Sequence, residues 1–229
     1  MIKKQLLIGI GMVFLLTGAF FLVPHFQNKQ VQKQERRGKK HARVVLQNRI
    51  YPDDKRFVTM NYVLQLMNQR KVRTIVETGT ARNGECNCRG DGCSSPIWGQ
   101  WANRNKALVY SVDIDPQAIN CSSAACTSYS KRMKFAMSDS VEFLENFNKP
   151  IDFLYLDSYD FDSANPTPSQ EHHLKEIIAA YPHLHKKSII MIDDCDLPHG
   201  GKGMLAIQYL LDKGWKIGLS GYQVVMICE

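Results

Sequence analysis

Five short apolar, β-branched runs, at residues 72–77, 107–113, 134–137, 151–157 and 188–193, are each followed by a stretch compatible with a helix. This alternation is the strongest constraint on the fold. Successive strands joined through helices must be parallel, because the crossover has to return over the face of the sheet, and both faces then become covered. The pattern therefore predicts an open, doubly wound α/β domain rather than a barrel of hairpins. Two further strands, at 216–219 and 223–228, are separated only by Ser220-Gly221-Tyr222. That connection is too short for a crossover, so these two must pair antiparallel. The expected architecture is a mostly parallel seven-stranded sheet ending in an antiparallel hairpin. Ahead of the first strand, Val58, Tyr62, Leu66 and Met67 recur at helical spacing, which predicts an amphipathic helix over 57–70 packed beside the sheet.

The N-terminal residues follow different rules. Residues 6–23 are an uninterrupted apolar or small-residue run without charge, of a length that at about 1.5 Å per residue just crosses a bilayer core. A cleaved signal peptide is the competing reading. The run is long for such a segment, and Phe20, Phe21, Leu22 and Val23 make a poor cleavage site. The chain thus divides into a transmembrane anchor (1–25), a basic linker (26–50) and an α/β domain (51–229). Lys3 and Lys4 precede the run, whereas Lys29, Lys33, Arg36, Arg37, Lys39, Lys40 and Arg43 follow it. The heavier basic flank should stay inside, giving a single-pass membrane protein with a cytoplasmic domain and a linker suited to anionic lipid head groups. Of the net charge of +7, residues 1–43 supply +8, which leaves the rest near −1. A near-neutral body argues against nucleic acid as a partner.

Cysteines are grouped as Cys86, Cys88 and Cys93, then Cys121 and Cys126, in no standard zinc spacing. Structural zinc, a disulfide lid and free thiols stay open. Disulfides are unlikely in the cytoplasm, while the reversed topology would permit two bridges, so the cysteine state tests the orientation.

Open parallel sheets bind ligands outside the carboxyl ends of their strands, and four of the strand ends carry acids: Glu77, Asp113, Asp157 and the pair Asp193-Asp194. Any one alone could be a turn residue or a helix cap; the set along one edge points to a site. After the first strand comes Thr78-Gly79-Thr80-Ala81-Arg82-Asn83-Gly84, where glycine lets backbone pass close to a ligand. Gly79 and Gly84 do not make the G-x-G-x-x-G fingerprint of nicotinamide enzymes. His199-Gly200-Gly201-Lys202-Gly203 lacks phosphate-loop spacing and reads as a turn into a helix over 204–212.

With these motifs in view, residues 72–228 resemble the class I S-adenosylmethionine-dependent methyltransferases, which have a Rossmann-like sheet of this kind. The resemblance implies S-adenosylmethionine as cofactor, with Glu77, Gly79 and Gly84 around its methionine part. Ala81 stands where the family often has a central glycine. Asp113, at the tip of Val109-Tyr110-Ser111-Val112-Asp113, would hold the ribose hydroxyls, and Asp139 with Ser140 would meet the adenine. Ser138 or Asp139 also reads as the N-cap of a helix over 141–147, and Asp115 as the first residue of a helix opened by Pro116.

Asp157, Asp193 and Asp194 look like the magnesium ligands of metal-dependent O-methyltransferases such as catechol and macrocin O-methyltransferase-like enzymes, because strands one, four and five are neighbours in that fold. Carboxylate oxygens suit Mg2+, and coordination would lower the pKa of an acceptor hydroxyl and fix its direction. Asp157 would then be catalytic, with His172, His173 or Asp160 as the base; each histidine also reads as a surface helix residue. Trp98 and Trp101 are candidates for an acceptor pocket or for the core. The Asn-Pro-Pro-Tyr motif of amino-group methylation is missing after the fourth strand. The expected activity is methyl transfer to a hydroxyl of a small acceptor, a sugar or a phenol. The alternative is a membrane-tethered protein that keeps the fold without turnover. Oligomeric state is not set, and a homo-oligomer stays open.

Overall fold

The computed structural model describes residues 42–228. In chain order the elements are α1 (Phe57–Arg70), β1 (Thr74–Thr78), α2 (Ser94–Asn105), β2 (Leu108–Asp113), α3 (Pro116–Ala125), β3 (Met133–Met137), α4 (Ser140–Glu145), β4 (Phe153–Leu156), α5 (Thr167–Ala180), β5 (Ile189–Ile192), α6 (Met204–Asp212), β6 (Lys216–Ser220) and β7 (Val224–Ile227). They form one seven-stranded sheet in the order β3-β2-β1-β4-β5-β7-β6. The first five strands are parallel, and β7 runs antiparallel to both β5 and β6. Strand order reverses where β1 lies between β2 and β4, the switch point at which such sheets bind ligands.

The period of two in the strands sorts side chains into two cores. Phe153, Tyr155, Ile189 and Met191 face α1 and α2, whose Met60, Leu64, Ile97, Trp98 and Trp101 cover them. Leu154, Leu156, Ile190 and Ile192 face α4, α5 and α6, meeting Leu144, Ile177 and Leu210. Each such side chain, fully removed from water, contributes about 1.5–3 kcal/mol. Trp98 stacks edge-on against Phe153 and Tyr155, with ring centroids at 4.9 and 5.4 Å. Both tryptophans are therefore core residues and not walls of an acceptor pocket.

Helix starts follow the expected chemistry. Asp115 accepts a hydrogen bond from the amide of Gln117 (2.8 Å) just before Pro116 opens α3. Asp139 accepts from the amide of Glu142 (3.0 Å) and caps α4.

Three expectations need revision or qualification. Residues 42–50, read as the end of the linker, belong to the domain: residues 42–46 are helical, and Ala42, Val45, Leu46 and Ile50 are 3% exposed or less within the α1/α2 core. Their apolar spacing is helical, but the Arg, Gln and Asn residues between them dominate the composition. Of the cysteines, Cys88 and Cys93 form a disulfide with Cα atoms 4.9 Å apart, while Cys86, Cys121, Cys126, Cys195 and Cys228 are free. No cysteine belongs to a potential metal cluster among the described residues. The apolar run at 6–23 lies outside the described residues; among the described residues no helix is long and apolar enough to cross a membrane.

Candidate active site

Glycine at position 79 is what allows β1 and β4 to end side by side. Its φ is +75°, and a Cβ there would lie 2.1 Å from the carbonyl oxygen of Asp157. The turn that follows is held from below by a buried polar network. Glu77 is fully buried and accepts hydrogen bonds from the hydroxyls of Ser95 (2.6 Å) and Ser111 (2.5 Å). Ser95 in turn receives the amide of Ala81 (3.0 Å) and lies 2.9 Å from the Thr80 hydroxyl. Burial pushes the Glu77 carboxyl up to about 7 despite these serine hydrogen bonds. Asp113 completes the turn by accepting from the amides of Thr80 (3.0 Å) and Asp115 (2.9 Å).

Two cavities open over this edge, and Gly79, Asp113 and Ser158 line both. One, of about 260 Å³, is bounded by Val112, Ile114, Ser138, Asp139, Ser140, Tyr159 and His172. Ile114 is 71% and Tyr159 47% exposed, so apolar surface is presented beside capping hydroxyl and carboxyl groups, as a heteroaromatic base requires. The second, of about 210 Å³, is polar and includes Arg56, Arg82, Asp91, Asp157, Asp160, Asp193, Asp194, Lys202 and Tyr222.

Asp113, at the junction of the two, stands where a ribose would link a base in the first cavity to an aminoacyl part in the second. These residues fit S-adenosylmethionine: a Cβ at Gly79 would fill the cradle, and the apolar cleft, the junction carboxylate and the polar cavity match its three parts.

The predicted residues are only partly brought together. Gly79, Asp113, Asp139 and Ser140 line the cleft as expected. Glu77 does not reach it; the carboxyl points beneath the sheet edge and acts through the serines on the Thr80 turn. Gly84 lines neither cavity. It packs on α3, where a Cβ would lie 3.1 Å from that of Ala125.

His172 is on the adenosine side, not beside Asp157. It shares a 3.0 Å hydrogen bond with Ser140 and lies 3.6 Å from Glu176, whose hydrogen bonding holds the imidazole above its ordinary pKa. His173 is fully buried, donates to the carbonyl of Ser169 at 2.7 Å, and is held below its ordinary pKa by burial. Asp160 faces the polar cavity but forms a two-point ion pair with Arg82 (2.6 and 3.0 Å). That hydrogen bonding keeps its carboxyl below the usual range and makes it a poor base.

The three acids expected to hold magnesium do converge, with ligand atoms within 4.8 Å of one another. Sequence reading missed the side chain between them. Lys202, taken as part of a turn, is 2% exposed and places its ammonium 2.8 Å from Asp157 Oδ1 and 3.1 Å from Asp194 Oδ2. Burial opposes its charge, but Asp157, Asp194 and Asp193 outweigh burial and raise its pKa. Asp194 also accepts from Tyr222, and together with Lys202 this overcomes burial and holds Asp194 below its usual range. Burial, reinforced by Asp157 and Asp194, drives Asp193 well up, and its Oδ1 has no hydrogen-bond partner. A divalent ion shared by Asp157 and Asp194 would meet an ammonium already seated there, so the donor set does not fit magnesium. Arg56, also unpredicted, is buried and donates to the carbonyl of Gly90 at 2.7 Å.

Comparison with known proteins agrees with this geometry. Residues 89–195 match a family described as a methyltransferase domain. A search of curated proteins finds no match. Among solved structures, an SAH-bound methyltransferase of Podospora anserina is 14% identical, with a TM-score of 0.55 over 96% of this chain and 100% of that one. A putative O-methyltransferase of Klebsiella pneumoniae is 12% identical, with a TM-score of 0.50 over 90% and 96%. The MycE methyltransferase of the mycinamycin biosynthetic pathway, in complex with Mg, SAH and mycinamycin VI, is 13% identical, with a TM-score of 0.56 over 92% of this chain and 60% of that one. At these identities the structures speak to the fold alone: this chain has the Rossmann-like methyltransferase fold, with residues 89–195 similar to a methyltransferase domain and a two-part cleft at the sheet's switch point.

Proposed function

We propose that the protein methylates a hydroxyl of a small molecule, a sugar or a phenol-like compound. The observation that carries this is the polar cavity beside the adenosine cleft, where Asp157 faces the space an acceptor would enter. Two of the structural neighbours bear on the acceptor class: one is titled a putative O-methyltransferase, the other is complexed with mycinamycin VI.

S-adenosylmethionine supplies an activated methyl group. The chain's own residues have to bind, orient and polarise. Asp113 holds the ribose, Gly79 admits the backbone contact, and Ile114 with Tyr159 flanks the base. Asp157 accepts the hydrogen bond of the acceptor hydroxyl and aims its oxygen. His172 and Asp160, expected as bases, are assigned instead to the adenosine wall and to an ion pair with Arg82. The magnesium expected from the sequence is not carried into this scheme, because Lys202 already bridges two of its carboxylates. The charge-free run at 6–23 supports a membrane tether for the domain.

The division of labour between two carboxylates is the test. Asp113→Ala should weaken S-adenosylhomocysteine binding about 100-fold, the loss of two charge-assisted hydrogen bonds, when measured by calorimetry. Asp157→Asn should leave that affinity within about threefold but lower methyl transfer over a panel of hydroxylated sugars and phenols at least about 100-fold. Equal effects of both substitutions on cofactor affinity would overturn the assignment. A folded wild-type protein that binds no S-adenosylhomocysteine would favour the non-catalytic alternative.

A further inference from the structure

We propose that Lys202 permanently takes the place of a divalent ion in the carboxylate cluster, so that this methyltransferase binds cofactor and turns over without a metal. The inference rests on the methyltransferase reading only for the identity of the cleft; the seat of the ammonium is a property of the loop itself.

That seat is built rather than incidental. Gly201 has φ +58°, and a Cβ there would lie 1.8 Å from the carbonyl oxygen of Asp194. Only glycine lets the loop press so closely on the end of β5. The next amide, that of Lys202, donates to the same Asp194 carbonyl at 3.0 Å. From α5, the side-chain amide of Gln170 donates to the carbonyls of both His199 and Gly201, each at 3.0 Å, and ties the loop down from the other side. The lysine stem then runs inward with 2% exposure and ends between Asp157 and Asp194. A solvent-facing lysine is held only at its tip; this one is buried along its stem and meets the cavity only where it sits between the two carboxylates.

Charge leads to the same conclusion. The cluster's negative charges are already opposed by a fixed ammonium, with Arg56 on the same cavity wall. A second, doubly charged cation among the same oxygens would gain less from the carboxylates and would be repelled by the first. Lys202 also does part of the task assigned to a metal elsewhere: it fixes the Asp157 carboxylate and keeps positive charge beside the acceptor oxygen.

The test uses the full-length protein in detergent, with Mn2+ as a spectroscopic probe. Electron paramagnetic resonance of wild-type protein should show no bound Mn2+ below about 1 mM, the weak end of carboxylate sites. Calorimetric affinity for S-adenosylhomocysteine should be unchanged by chelator or by added Mg2+. Lys202→Met keeps the stem and removes the charge; it should bind Mn2+ on the order of tenfold or more tighter and regain thermal stability when Mn2+ is added. Stoichiometric Mn2+ on the wild type, or loss of S-adenosylhomocysteine affinity on chelation, overturns the proposal. If Lys202→Met does not fold, the wild-type titration decides the matter alone. Failure of wild-type protein to bind S-adenosylhomocysteine under any condition would remove the methyltransferase reading, and the Mn2+ result would still stand.

Discussion

Glu77 illustrates how one side chain can serve a site it never touches. Its carboxyl, raised to about 7 by burial from an ordinary 4.5, binds a proton more tightly in the folded than in the unfolded protein. Below the unfolded value the group is protonated in both states; as pH rises toward the folded value, the native state retains the proton and stability falls. The full loss is about 3 kcal/mol. Glu77→Gln should abolish this decline, which urea denaturation at about pH 5 and pH 8 will read. Gly79→Ala meets both a left-handed φ and the Asp157 carbonyl, and should lower stability by about 2 kcal/mol or more while impairing S-adenosylhomocysteine binding, as followed by thermal melting and calorimetry. At this scale the sequence was informative where a residue's role follows from its place at a strand tip. That reasoning put Asp113 and Asp139 at strand tips, and both line the cleft. Glu77 was misplaced because alternation along β1 turns it under the edge, and His172 because a helix face cannot be assigned to one cavity or another without the packing of α5. Lys202 had one signal, the Gly200-Gly201 pair before it, which marks a loop able to press against backbone.

The elements themselves were read more securely than the contacts between them. The helix at 57–70 stands where periodicity placed it and the helix at 204–212 where the turn before it did, and the antiparallel end of the sheet follows from the length of one connection. What spacing could not convey was the loop between β1 and α2. The Cys88–Cys93 disulfide closes a short ring there, and the residues inside it, Gly90 and Asp91, form part of the polar cavity wall. Arg56 grips that wall through the Gly90 carbonyl. Replacing both cysteines with serine should lower stability by about 2 kcal/mol, from the loop-closure entropy of so small a ring, and should weaken S-adenosylhomocysteine binding. Denaturant midpoints and calorimetry separate the two effects.

For the molecule as a whole, two lines of argument about its surroundings oppose each other. The basic flank after residue 23 predicts a cytoplasmic domain, whereas a disulfide persists where the medium is oxidising. The bridge predicts five free thiols among the protein's seven cysteines. Alkylation and intact mass will count them, and seven would restore the cytoplasmic placement. Gly79, Asp113 and Ser158 belong to both cavities at once, and this shared partition has a kinetic meaning. On the function proposed above, the acceptor and the nucleoside would meet across those three residues. The expected kinetic order is then sequential, with the methyl donor entering first and its spent form leaving last, which product-inhibition patterns will read.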